Sequence, residues 1–227
     1  AVVDAARDQG LIGIAVEDGV IDTGEGFRPV RRYWPSEPGP ARILYFHGGG
    51  FVVGNLDSHD DICAEIAQAC GSELVAVDYR LCPEHPHPAA YEDALAAAME
   101  LSDRPLIVVG DSAGGNLAAA VALNAKARIL GQVLIYPGLG GEADDLASYR
   151  ENAEAPLLST DDVISYRHIR AGQDGDPDDP TFSPLRTKDL SRSPPAFVSA
   201  AECDPLRDDG PAYVLRLTDA GVPAECV

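Results

Sequence analysis

Two glycine-rich stretches hold the residues with the clearest chemical potential. Gly110-Asp111-Ser112-Ala113-Gly114 places a serine among small residues, after the apolar run Leu106-Ile107-Val108-Val109 and before the Ala-rich stretch from Gly114 to Lys126. A strand that turns sharply into a helix lifts a serine Oγ clear of a sheet, and small residues two before and two after it relieve the crowding of such a turn. The following helix points its positive end at Ser112, which favours negative charge developing there. The second stretch is His47-Gly48-Gly49-Gly50-Phe51, directly after Ile43-Leu44-Tyr45-Phe46. Three glycines let main-chain N–H groups approach an oxygen unobstructed, and two of them with the N–H of Ala113 would form an oxyanion hole. Each such donor contributes about 3–4 kcal/mol to a transition state. The chemistry indicated is nucleophilic acyl transfer through a covalent intermediate. A phosphate-binding role for the glycines is disfavoured, because no Lys-Ser/Thr follows and no G-x-G-x-x-G opens a helix here.

Such residues need a scaffold, and the flanking pattern supplies one. Short continuous apolar runs at 43–46, 74–77, 106–109, 133–136 and 195–200 predict strands, the central ones buried on both faces. Helices are predicted over 58–70 with Ser58 as N-cap, over 88–101 opening at Pro88, over 114–126, and from Pro211 to Ala220. This alternation predicts an α/β fold, a mostly parallel sheet with helices on both faces. Ahead of it, Ile12 to Trp34 predicts an antiparallel hairpin, and residues 1–9 a turn or two of helix. Residues 138–190 form a long insert with a helical stretch near Asp161 to Ala171, and a connection of that length in a compact domain is usually functional, such as a lid. The link from Lys126 to Gln132 is short for a helix-to-strand connection.

A length of 227 residues suits one α/β domain with a single core. The net charge of −20 argues against nucleic-acid and anionic-membrane partners, which would repel it. No apolar run reaches the roughly 18 residues of a membrane span, and the first residues carry no secretory pattern. The five cysteines (Cys63, Cys70, Cys82, Cys203, Cys226) are scattered without C-x-x-C, which predicts free thiols in a reducing cytoplasm and no metal site. Fifteen arginines accompany only two lysines, Lys126 and Lys188. A salt-adapted source and an Arg-using, GC-rich genome both produce that balance.

Taken together, the motifs resemble the hormone-sensitive-lipase branch of the α/β-hydrolases, bacterial type IV carboxylesterases. That family carries H-G-G-G, then Y-R-L-x-P-E-x-x-x-P-A-A-x-x-D, then G-D-S-A-G-G-N. Here the middle stretch runs from Tyr79-Arg80-Leu81-Cys82-Pro83-Glu84 through Pro88-Ala89-Ala90 to Asp93. Pro194-Pro195-Ala196 and then Glu202-Cys203-Asp204-Pro205-Leu206 match the segment bearing the family's acid. The likeness extends from about residue 28 to the end. It implies Ser112 as nucleophile and Asp204 as the residue orienting the base. It also implies an oxyanion hole from Gly49, Gly50 and Ala113 shaped by Gly48, and Phe51 in the substrate pocket. The expected activity is hydrolysis of short-chain carboxylic esters without metal or organic cofactor, the partner being a small ester. One hydrolase domain with a helical cap from 138–190 and the N-terminal segment is expected, and a homodimer is compatible with it. Asp111, Glu84 and Asp93 are expected to be structural, and His47 to orient its loop. Rival readings are an amidase or lactonase, or a non-catalytic ligand binder such as some plant hormone receptors.

One element of the pattern is missing. The family orders its triad serine, acid, histidine, yet no histidine follows Asp204; His47, His59, His85, His87 and His168 all precede it. Two readings compete. In one, the sequence stops short of the last strand, its histidine loop and the final helix. In the other, the chain is a triad-deficient homologue, whose turnover would fall to roughly a thousandth or less.

Overall fold

The computed structural model describes residues 14–141, 146–173 and 175–227. The helix expected over residues 1–9 lies outside them. Strands β1 (Ile14–Asp22) and β2 (Phe27–Pro35) form the expected antiparallel hairpin, paired from Ile14 with Pro35 to Asp22 with Phe27. The chain then alternates: β3 (Arg42–Phe46), α1 (Asp60–Cys70), β4 (Glu73–Val77), α2 (Ala89–Glu100), β5 (Leu106–Asp111), α3 (Ala113–Asn124) and β6 (Ile129–Ile135). The long insert contains α4 (Ser148–Glu151), α5 (Thr160–Ala171) and a 3-10 turn at Pro184–Arg186. It leads into β7 (Ala196–Ser199), α6 (Asp209–Asp219) and β8 (Ala224–Cys226). All eight strands lie in one sheet in the order β1-β2-β4-β3-β5-β6-β7-β8, antiparallel at β1-β2-β4 and parallel from there on.

The period of two in the strands divides the core. Leu44 and Phe46 of β3, with Val75 and Val77 of β4, pack under Ala94, Ala97, Leu117, Val121, Tyr213 and Leu217 of α2, α3 and α6. Their neighbours Ile43, Tyr45, Leu74 and Ala76 face the opposite side, against Cys63, Ala64 and Ala67 of α1. Helices therefore cover both faces of a mostly parallel sheet, as the apolar runs predict. Two buried carboxylates tie the strands' flanks. Glu73 accepts from Arg42 and Arg32 at 2.9 and 3.0 Å. Asp93 accepts from Arg28 and Arg80 at 2.9 Å each, which closes the Tyr79–Asp93 stretch on itself and gives Asp93 a structural role.

Three local expectations need correction. Ser58 does not cap α1: His59 occupies that position without a side-chain cap bond, while Ser58 exchanges 2.9 Å hydrogen bonds with Asn55. The link after α3 is short, as expected, but lies earlier: α3 ends at Asn124 and β6 begins at Ile129, which leaves the four residues 125–128. Ala224–Cys226 is a strand, pairing parallel to β7, where none was expected. Three residues are too few to show a period. No helix among the described residues is long and apolar enough to cross a membrane.

Candidate active site

The C-terminal ends of β3, β5 and β6 converge, and loops leaving them build a cleft lined by Gly50, Phe51, Ser112, Ala113 and Asn116, among others. This is where ligands bind in open parallel sheets. Ser112 joins β5 to α3 with φ 52° and ψ −115°, a conformation that costs a non-glycine residue about 1–3 kcal/mol. Its amide donates to Ile135 O at 2.8 Å, and its carbonyl accepts from Asn116 N at 3.2 Å and Gly138 N at 3.3 Å. The elbow is crowded: a Cβ on Gly114 would lie 1.9 Å from the carbonyl oxygen of Phe46. Glycine at that position is what allows α3 to start against the end of β3.

The glycine loop after β3 is shaped by its own backbone and by the residue preceding the serine. Gly49 and Gly50 take φ of 119° and 61°, and the Gly49 carbonyl accepts from Val52 N and Val53 N at 3.0 Å each. Asp111 Oδ1 accepts from Gly48 N at 2.9 Å and from Tyr45 OH at 2.8 Å, and His59 Nε2 lies 3.4 Å from Oδ2. Burial pushes the Asp111 carboxyl up, but its bonds to His59, Tyr45 and the Gly48 amide outweigh that and hold it below the usual carboxylate range. The amides of Gly49, Gly50 and Ala113 have no acceptor among the described residues. Gly50 and Ala113 line the cleft with Ser112, Phe51 lines it too, and Gly48 and Gly49 do not. A serine Oγ beside unpaired N–H groups in one cleft can attack a carbonyl and stabilise the oxyanion that forms.

Residues 43–227 match the family model described as the alpha/beta hydrolase fold. The chain belongs to the α/β-hydrolase family. Among curated proteins it is 40% identical to Esterase LipI of Mycobacterium tuberculosis, covering 93% of this chain and 72% of that one. It is also 40% identical to an ethyl acetate hydrolase of Pseudomonas putida, over 87% of this chain and 67% of the relative. A solved esterase of Pyrobaculum calidifontis superposes with a TM-score of 0.91 at 36% identity, covering all of this chain and 78% of that one. These relatives place the hydrolase in the hormone-sensitive-lipase-like carboxylesterase branch that its motifs resemble.

In this hydrolase Asp204 follows β7, half-buried and outside the cleft lining. Its Oδ1 accepts from Leu206 N at 2.8 Å, and burial pushes its carboxyl up. It does not cap α6, whose N-cap is Asp208. None of the five histidines lines the cleft. His47 is buried, stacked on Tyr79 with ring centroids 4.3 Å apart, and its Nδ1 lies 2.7 Å from the Gly48 carbonyl, so it orients the loop. His87 is 3.7 Å from Asp179, and His168 is exposed on α5.

Two site residues escaped the motifs. Asp209 is fully buried and accepts from Leu139 N at 2.6 Å, Gly141 N at 3.2 Å and Tyr149 OH at 3.0 Å, which fixes the loop carrying Gly140 into the cleft. Its only sequence signal was a place in Asp208-Asp209-Gly210. Arg170, on α5, also lines the cleft. Its signal was a charge interrupting the spacing from Val163 and Tyr166, which face the same space.

Proposed function

We propose that Ser112 is the nucleophile of a carboxylesterase that acts on short-chain esters in two steps. Ser112 Oγ attacks the ester carbonyl, the alcohol leaves, and water then hydrolyses the acyl-enzyme. The amides of Gly49, Gly50 and Ala113 receive the oxyanion, Gly48 anchors their loop through Asp111, and Phe51 borders the substrate. Asp204 orients the base, a histidine that follows the acid in the family's order, and stabilises it once it has taken the serine proton. Residues 138–190 cap the site, since Val163, Tyr166 and Arg170 of α5 lie over the same cleft as Ser112. The five free cysteines support a reducing, cytoplasmic setting.

The observation that carries this reading is a strained serine sharing a cleft with amides that have no acceptor among the described residues. Covalent labelling of Ser112 by a fluorophosphonate, with release of p-nitrophenol from its acetate, is the expected result. No label at Ser112 would remove the esterase reading. A ligand-binding reading without turnover has one observation in its favour, the absence of any of the five histidines from the cleft lining. It predicts labelling without sustained p-nitrophenol release, and a pH–rate profile lacking the imidazole inflection near 6.5.

A further inference from the structure

The cleft contains a buried cation that acyl transfer at Ser112 does not use. Arg170 is 4% exposed, and its guanidinium lies between two aromatic rings, 3.7 Å from the centroid of Phe51 and 4.2 Å from that of Phe182. Its hydrogen bonds reach only neutral oxygens: Nη1 donates to Phe182 O at 3.0 Å, and Nη2 to Asn116 Oδ1 at 3.2 Å and Thr181 O at 3.3 Å. A guanidinium has five N–H donors, so two have no acceptor among the described residues. Asp179, whose field reaches Arg170, spends its own oxygens on Thr181 at 2.8 Å and His87 at 3.7 Å. Burial draws the guanidinium down to about 9, which leaves it charged at neutral pH.

A buried cation normally has an anion beside it, because losing water is costly unless a charge partner replaces it. This chain has 37 acidic residues against 17 lysines and arginines, yet no Asp or Glu among the described residues lines the cleft. Arg167, bonded to Gly141 O at 2.8 Å, adds a second positive side chain to the lining. Among the described residues, the charged side chains of the cleft lining are thus Arg167 and Arg170, both positive.

We infer that Arg170 is a specificity residue that receives a carboxylate carried by the substrate, so that the preferred substrates are short esters bearing a second, ionised carboxyl group. The inference rests on Ser112 being the nucleophile of the same cleft. Hydrolysis of such an ester consumes one water and releases an alcohol and an acid, and the distal carboxylate takes no part in bond making.

The test compares matched pairs at moderate salt, which screens the repulsion of the acidic surface. Monoethyl glutarate against ethyl pentanoate probes a carboxylate on the acyl side, and 4-acetoxybutyrate against butyl acetate probes the alcohol side. In one pair kcat/KM for the charged ester exceeds that for its neutral match by about 10- to 100-fold, the worth of a charge-assisted hydrogen bond. Arg170→Met abolishes the ratio and Arg170→Lys keeps part of it. A ratio at or below one in both pairs overturns the inference, as does a ratio that Arg170→Met leaves intact. A merely structural arginine would lower both members of a pair alike. Calorimetry with glutarate reads the site without turnover: the wild-type protein binds it, and Arg170→Met or, should that fail to fold, Arg170→Lys binds it more weakly. If Ser112 takes no fluorophosphonate label while glutarate still binds through Arg170, the esterase reading fails and the carboxylate site stands. No glutarate binding with Ser112 labelled is the reverse result.

Discussion

The carboxylate of Asp111 accepts the main-chain amide of Gly48 at 2.9 Å, linking the residue before Ser112 to the first glycine of the loop opposite. The same oxygen takes the hydroxyl of Tyr45 at 2.8 Å. Asp111→Leu strands both buried donors, each costing roughly 1–3 kcal/mol, and frees the glycine loop from the elbow. Urea unfolding should show the loss of stability, and fluorophosphonate labelling of Ser112 should slow at least tenfold, a figure on the scale of one misplaced oxyanion donor. Asp111→Asn keeps one acceptor oxygen and should recover much of both. Equal damage from the two variants would mean that the negative charge, not the hydrogen bond to Gly48, sets the loop.

Ser112 turns β5 into α3 in a strained backbone conformation. With φ 52° and ψ −115° it occupies a region open mainly to glycine. Ser112→Gly should therefore raise unfolding stability by about 1 kcal/mol even after the added entropy of the unfolded chain. Ser112→Ala, which retains Cβ, should gain nothing. Both lose covalent labelling. Denaturation midpoints for the three proteins decide this, and a glycine variant no more stable than wild type would show that the surroundings hold the elbow without strain.

The elbow and the glycine loop were legible in the sequence because local sterics dictate them. Gly110, Gly114 and the triplet at 48–50 permit close approaches that a Cβ would block. The strands were legible because apolar runs report burial on both faces. Asp209 and Arg170 were not: Asp209 meets Leu139 across 70 positions of sequence, and Arg170 meets Asn116 across 54. No local pattern records such pairings. Ser58 misled because the Asn55 main chain takes its hydroxyl, which accepts from Asn55 N and donates to Asn55 O, a local alternative always open to serine.

Two glycines separate crowding from backbone preference. Gly114→Ala would drive Cβ to 1.9 Å from a carbonyl oxygen of β3, which no side-chain adjustment relieves. The variant should fail to fold or lose more than about 4 kcal/mol. Gly71, which ends α1 at φ 57°, has open space around it. Gly71→Ala should cost only about 1 kcal/mol. Expression level and urea unfolding compare the two, and a mild Gly114→Ala would mean that α3 can move off β3.

Asp209 should give the protein an acid-side gain in stability. It is fully buried, and burial raises its carboxyl to about 6, above the ordinary carboxylate value. A carboxyl raised in the folded state binds its proton more readily there than in the unfolded chain, so its ionisation near neutral pH opposes folding. That penalty, on the order of 3 kcal/mol for a rise from 3.8 to about 6, is present above pH 6 and fades as the pH falls toward 4. Asp209→Asn can keep the Leu139 and Gly141 amides paired with its carbonyl oxygen while its NH2 donates to Tyr149 OH. It removes the titration, and the acceptor lost to the Tyr149 hydroxyl hydrogen is a cost that does not change between pH 4 and 7. The wild-type protein should thus gain stability relative to Asp209→Asn as the pH is lowered from 7 to 4, whatever the other carboxylates do to both curves. Unfolding free energies at several pH values check this directly, and parallel curves for the two proteins would mean that Asp209 holds the Gly140 loop without being forced toward protonation.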